Sequence, residues 1–242
     1  MHYELYYWPS IQGRGEFVRL ALEEAGARYT DVARGPDSEL REEAIAKFLQ
    51  HPGLAYRPFA VPALKTGKLV ISHTANILLY LGIHHDLSPK EESAGHWTHG
   101  LQLTITDLLA EVHDGHHPIS SGLYYRDQKA EAQRRTRHLI EQRLPKYLGY
   151  FESVLRQNPS GPQFAVGDRL TYVDLSLFQI IAGVRYAFPN AMKDLEKTYP
   201  GLAALAQSVA VRPRIAAYLA SKRRIPFNED GVFRHYPELD PV

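Results

Sequence analysis

The sequence predicts an α/β unit followed by an all-α unit, and three observations carry that reading. Every segment that reads as a strand falls before residue 72. A polar, proline-bearing stretch, Asp86 to Ser93 (DLSPKEES), breaks the chain after the first 85 residues. Beyond it, apolar residues recur at helical spacing and no segment reads as a strand.

Tyr3 to Trp8 is aromatic-rich and stops at Pro9, the pattern of a first strand. Gly13 and Gly15 open a segment in which Phe17, Leu20, Ala21 and Ala25 recur near helical spacing, with Gly26 as its stop. Residues 28–33 read as a second strand and residues 38–50 as a helix ending before His51-Pro52-Gly53. Leu54 to Ala60 is irregular. Val61 to Lys65, a Thr66-Gly67 turn and Lys68 to Ile71 predict a hairpin. Ser72 to His85 predicts a helix with Ile77, Leu78 and Leu81 on one face. The order is β-α-β-α-β-β-α over residues 1–85, a linker at 86–93, and a helical unit over 94–242. That unit has helices at 94–114, 126–157, 171–187, 200–210 and 212–221. Pro145 predicts a kink in the second of these, and the tail from Ile225 reads as irregular.

Composition narrows the function. The chain has 242 residues, 44% apolar and 23% charged, enough for a sizeable core. Lys plus Arg number 28 against 27 acids, a net charge of +1, so no broad footprint for nucleic acid is expected. The absence of cysteine excludes a disulfide framework, a thiolate zinc site and any reaction in which the protein supplies the sulfur. No apolar run approaches the roughly 18–20 residues of a membrane helix, and residues 1–10 lack a signal-peptide pattern. The expectation is a soluble, cytoplasmic protein without membrane or nucleic-acid partners.

Three features carry chemistry. Pro62 at a strand start is either a strand-edge proline or part of a cis Val61–Pro62 bond, which would turn the Val61 backbone outward to pair with an extended peptide. Ser72-His73-Thr74 opens a helix, where free N–H groups attract carboxylates. Ser72 or Thr74 as a simple cap is the alternative. A tyrosine ending the first strand lies where open α/β sheets bind ligands, and its hydroxyl can stabilise a thiolate. A shift of about two pK units would ionise a thiol at neutral pH and corresponds to roughly 2.7 kcal/mol.

Together, Tyr7-Trp8 before Gly13-Arg14, the run Val61-Pro62-Ala63-Leu64 and Ser72 to Leu81 (SHTANILLYL) resemble the glutathione transferase superfamily. The likeness is nearest to its tyrosine-type sigma, mu, pi and alpha classes. Val166 to Asp174 (VGDRLTYVD) resembles the superfamily's capping-box helix, with Thr171 as N-cap and Asp174 at N3. The resemblance extends to about residue 225. It implies a thioredoxin-like N-terminal domain, a helical C-terminal domain and glutathione as co-substrate, with no metal. Position by position it implies Tyr7 as the thiolate-stabilising residue, Val61 as the residue whose backbone pairs with the glutathione cysteine, and Pro62 as the cis proline. His73 and Thr74 match the pair that holds the γ-glutamyl group, and Lys47 a basic residue for the glycine carboxylate. Asp107 matches an acid that reaches the neighbouring subunit's γ-glutamyl amine, implying a homodimer. The spacing from Tyr7 to Gly13 requires an insertion at Pro9-Ser10, with Tyr6 as the fallback. A histidine stands where glutamine is usual, so glutathione binding is expected to depend on pH. The second substrate is expected to be a small hydrophobic electrophile. A non-catalytic glutathione or hydrophobic-ligand carrier, or a scaffold protein, of the same fold is the alternative.

Other patterns weigh less. His113 and His117 sit four residues apart, but Gly115 and Pro118 end their helix, so His113 is read as a pocket-wall candidate rather than a metal ligand. The basic runs at 133–138 and 221–224 read as solvated helix faces.

Overall fold

A computed structural model describes residues 1–34 and 41–241. Four short strands, β1 (His2–Tyr6), β2 (Arg28–Asp31), β3 (Ala63–Thr66) and β4 (Leu69–Ser72), form one mixed sheet in the order β2-β1-β3-β4. β1 runs parallel to β2 and antiparallel to β3, with Tyr6 opposite Ala63, and β3 pairs antiparallel with β4. Alternation along β1 sends Tyr3 and Leu5 into the core with Phe17, Leu20, Ile77 and Leu81. Those residues belong to α1 (Gly15–Ala25) and α3 (Thr74–His84). Tyr6 takes the opposite face and stacks on Phe48 of α2 (Arg41–Leu49), ring centroids 3.8 Å apart.

The predicted element order holds, with boundaries that differ for local reasons. β1 ends at Tyr6, one residue before Tyr7 leaves the ladder, and β2 gives way to a 3₁₀ turn at Val32–Arg34. Residues 38–40 of the predicted second helix lie outside the described residues. The hairpin turn is Gly67-Lys68 rather than Thr66-Gly67, because Thr66 still pairs with Leu69.

From residue 92 onward the described chain is helical: α4 (Glu92–His116), α5 (Lys129–His138), α6 (Leu144–Gln157), α7 (Tyr172–Ala187), α8 (Leu195–Thr198), α9 (Pro200–Ala210) and α10 (Pro213–Leu219). The N-cap of α4 is Glu91, inside the expected linker, whose carboxylate accepts from the N–H groups of Ser93 and Ala94. The predicted long helix at 126–157 is divided by a π-helical turn at Leu139–Arg143, and Pro145 sits at the start of α6 instead of kinking a continuous rod. The tail from Ile225 is irregular as expected except for a 3₁₀ turn at Pro237–Leu239, and Val232, Phe233 and Leu239 are buried in it.

α7 is enclosed by α1, α3, α4 and α9, so one hydrophobic cluster runs from the sheet into the helical part. A thioredoxin-like N-terminal part and a mostly helical C-terminal part thus share a core. Buried charge joins them as well. Arg19 is fully buried and pairs with Asp31 at 2.7 Å and Glu16 at 3.2 Å. Glu16 also accepts from Tyr218 at 2.7 Å and from Arg224. The run at 221–224 is solvated only in part: Lys222 and Arg223 are exposed, with Arg223 paired to Glu23, while Arg224 is bonded inward, and the segment is not helical.

The capping box at the start of α7 is formed. Thr171 accepts from Val173 N–H at 3.3 Å, and Asp174 accepts from the Thr171 N–H at 2.7 Å and hydroxyl at 2.9 Å and from Ala165 N–H at 2.7 Å. Removing that buried carboxylate orphans two backbone donors. Asp174→Ala is expected to lose about 3 kcal/mol of stability in urea unfolding. A loss below about 1 kcal/mol would show that the box is not needed to hold the fold.

Candidate functional site

Tyr7 follows the last paired residue of β1 and turns its ring under the segment that opens α1. Its hydroxyl accepts a hydrogen bond from Arg14 N–H at 2.8 Å. The fit is close. A Cβ on Gly13 would lie 2.2 Å from Tyr7 Oη, and one on Gly15 2.4 Å from the ring, so both positions require glycine. Gly13 also has φ +44, a left-handed backbone. Burial pushes the Tyr7 hydroxyl pKa up, against the lowering effect of the Arg14 N–H and of the Arg14 and Arg19 charges. The group is a neutral phenol at neutral pH. Among the described residues it donates to no acceptor.

Arg14 borders a cavity of about 290 Å³ that opens between the sheet and α4. Val61 and Pro62 line it from the loop before β3, and the bond between them is cis, as the sharper sequence reading held. Ser72, His73 and Thr74 line it from the start of α3. Phe17, Gln102, Ile105, Thr106 and Leu109 form the facing wall.

Neither Ser72 nor Thr74 caps α3. The N-cap is His73, with φ 71 and ψ 127 and no side-chain cap bond. A non-glycine residue in that region costs of order 1–3 kcal/mol, a strain typical of functional positions. Thr74 is buried, and its Oγ1 has no partner among the described residues. An uncapped helix start with an unpartnered buried hydroxyl, both at one cavity, has the free donors and the partial positive charge that can receive a carboxylate. Gln102, buried on α4 with its Oε1 unpartnered, adds a polar group on the far wall.

The structure brings Val61, Pro62, His73 and Thr74 to one cavity, with Tyr7 one hydrogen bond behind Arg14 and outside the lining itself. Tyr6 is on the other face of the sheet and donates to Glu4 at 3.2 Å, which sets aside the fallback tyrosine. Lys47 is not brought to this cavity. It is exposed, lies 3.5 Å from Glu43, and borders a different hollow with Tyr6 and Phe48. Asp107 is exposed on α4, turned by the helix period away from the face of Gln102, Ile105 and Leu109. His113 packs with His116 and His117 at the end of α4, ring centroids 4.7–5.3 Å apart. Among the described residues no group of three or more metal-binding side chains is arranged to hold an ion. Sequence reasoning missed Arg14, Phe17 and Gln102. The α4 wall follows the same helical spacing as core packing, so only the fold reveals it.

The fold class is a thioredoxin-like sheet joined to a helical unit, with the uncapped start of α3 and the Val61–Pro62 bond at one cavity. Residues 113–222 match the family profile "Glutathione S-transferase, C-terminal domain". A glutathione S-transferase of Plasmodium yoelii yoelii is 28% identical over 88% of this chain and 90% of its own length. Glutathione S-transferase P of Bos taurus is 26% identical over 95% and 98%. The solved Onchocerca volvulus Pi-class glutathione S-transferase superposes with a TM-score of 0.72 at 20% identity, over 96% of this chain and 99% of that one. The resemblance to glutathione transferases therefore extends over nearly the whole chain, and the match to the C-terminal domain profile spans residues 113–222.

The Thr74 hydroxyl is costly when no ligand is bound. Thr74→Val keeps the shape and removes the unpartnered oxygen. It is expected to raise the stability of the unliganded protein by about 1 kcal/mol, read from the urea midpoint. A lower midpoint would mean that the hydroxyl is already satisfied.

Proposed function

We propose that this protein is a glutathione transferase that binds glutathione in the cavity at the start of α3 and activates its thiolate with Tyr7. The observation that carries the reading is the uncapped start of α3, with its buried, unpartnered Thr74 hydroxyl, in a cavity bordered by the Arg14 turn that holds Tyr7. The γ-glutamyl carboxylate takes the α3 N–H groups and Thr74, with His73 beside it. The Val61 backbone pairs with the cysteine moiety, next to Pro62. The Tyr7 phenol, neutral and already polarised by Arg14 N–H, donates to the sulfur and favours its ionised form. The electrophile rests on the apolar wall of Phe17, Ile105 and Leu109. Conjugation, isomerisation and peroxide reduction are all open to such a thiolate.

Lys47 is not carried into this proposal, because its ammonium borders the other hollow. Asp107, exposed on α4, is proposed to reach a neighbouring subunit's γ-glutamyl amine in a homodimer. The proposed unit boundary is residues 86–93. No helix of the described chain is long and apolar enough to cross a membrane, and a cytoplasmic location is proposed with the function.

One observation favours a non-catalytic carrier: Tyr7 does not itself line the cavity. Retention on glutathione-agarose and conjugation of 1-chloro-2,4-dinitrobenzene separate the two readings. Tyr7→Phe is expected to keep retention, raise the bound thiol's pKa by about two units and lower kcat/KM about 100-fold. Wild type that is retained without conjugating would support the carrier instead.

The histidine at position 73 yields a second test. His73→Ala removes the imidazole beside the proposed γ-glutamyl carboxylate, so S-methylglutathione is expected to bind about threefold more weakly by calorimetry. Unchanged affinity would remove the role.

A further inference from the structure

The C-terminal tail borders the turn that leads into the cavity-lining Arg14, and together they make a rim outside the cavity's own lining. Gln12 Nε2 donates to the Ile225 carbonyl, and Asn228 Nδ2 donates to the Ser10 carbonyl at 2.8 Å. Gly231 lies against Ile11: a Cβ there would be 3.9 Å from the Ile11 Cβ. His116 Nε2–H then donates to the Val232 carbonyl at 2.8 Å. The tail thus runs from the turn just before Arg14 to the end of α4, about two helical turns beyond the cavity-lining Leu109.

Two arginines on this rim are left without acids. The Arg14 side chain lines the cavity and makes no hydrogen bond or ion pair among the described residues. Arg234 is held in place by backbone alone, its Nε on the Gly231 carbonyl at 2.7 Å and its Nη2 on the Asp230 carbonyl at 3.0 Å. It makes no ion pair among the described residues, and Asp230 offers it a carbonyl rather than its carboxylate. Other arginines of the same C-terminal region are matched: Arg212 with Glu24, Arg223 with Glu23 and Arg224 with Glu16. The carboxylate on the α4 side of the rim is Asp114, half-exposed and 3.3 Å from His113.

The histidines report the same positive field. Burial is the main cause that holds His117 down to about 4, with Arg234 next. His113 is lowered by burial and, further, by Arg14 and Arg234, against the raising effect of Asp114. They are neutral hydrogen-bonding groups at neutral pH, so the charge of the rim is that of the guanidiniums. A guanidinium fixed by carbonyls and lacking a counterion is pre-organised for a carboxylate.

We propose that this rim selects an electrophile bearing a carboxylate or similar anionic group, whose apolar body lies on the Phe17, Ile105 and Leu109 wall and whose charge meets Arg234 and Arg14. The proposal rests on the transferase reading for the chemistry but not for the anion recognition. No group is transferred at the rim itself.

The test compares ethacrynic acid with its methyl ester, using 1-chloro-2,4-dinitrobenzene as a neutral control, on wild type and Arg234→Gln. The wild-type acid-to-ester ratio of kcat/KM is expected to be about ten and to fall with added salt. Arg234→Gln should bring that ratio to about one and leave the control within twofold. A wild-type preference for the ester, or a ratio that Arg234→Gln does not change, would overturn the proposal. Calorimetry with S-(2,4-dinitrophenyl)glutathione and its ring-carboxylated analogue reads the rim without turnover. About tenfold tighter wild-type binding of the carboxylated conjugate, lost in Arg234→Gln, supports the rim even if none of the three electrophiles is conjugated. In that case the transferase reading fails and the rim stands. Equal affinity for the two conjugates counts against the rim whatever the turnover.

Discussion

The hydroxyl of Tyr7 is wedged beneath the Gly13–Gly15 turn, and the rest of the site is arranged around that contact. The turn has room for the ring only because residues 13 and 15 lack side chains, and the Arg14 N–H then falls 2.8 Å from the phenolic oxygen. The turn is itself fixed from the helical half. Gln12 accepts from Gln179 of α7 at 2.8 Å, and Gln179 accepts from Arg224 at 3.0 Å. Arg19, 5.7 Å from the Tyr7 ring centroid, ties the same region to Asp31 and Glu16. Arg19 Nη2 and Asp31 Oδ1 have no partner among the described residues, but breaking one of the ion pairs would leave an unpaired charge inside. The aim of one hydroxyl thus depends on packing between α1, α7 and the chain beyond α10.

The cavity gathers polar groups that are unpaired among the described residues: an uncapped helix start, a strained His73, a buried Thr74 hydroxyl and a buried Gln102 carbonyl. Each would be better satisfied elsewhere in a protein selected for stability alone. The capping box of α7 shows the contrast, since Asp174 and Thr171 satisfy every donor they meet. The same chemical problem, a helix start inside the protein, is solved completely where the helix supports the core and left open where it faces the cavity.

Much of this was legible in the sequence. The strand-to-helix division, the hairpin, the capping box and the Ser72–Thr74 helix start follow from periodicity and turn chemistry, which act over a few residues. The cis Val61–Pro62 bond was one of two open readings, because a proline at a strand start has two uses. What stayed hidden is what distant segments decide together. Arg224 looked like part of a solvated basic run, and only its meeting with Glu16 makes it structural. Lys47 looked available to the site until the loop at 50–62 separated α2 from the cavity. Gln102 has the spacing of any core-facing helix residue. The π-helical turn at Leu139–Arg143 has no periodic signal of its own.

A crystal structure of the protein with glutathione bound tests the central claim most directly. The account predicts the Tyr7 oxygen within hydrogen-bonding reach of the sulfur while still accepting from Arg14 N–H, and the γ-glutamyl carboxylate on Thr74. Sulfur out of reach of Tyr7, or the tripeptide lying in the hollow beside Tyr6 and Lys47, would contradict it.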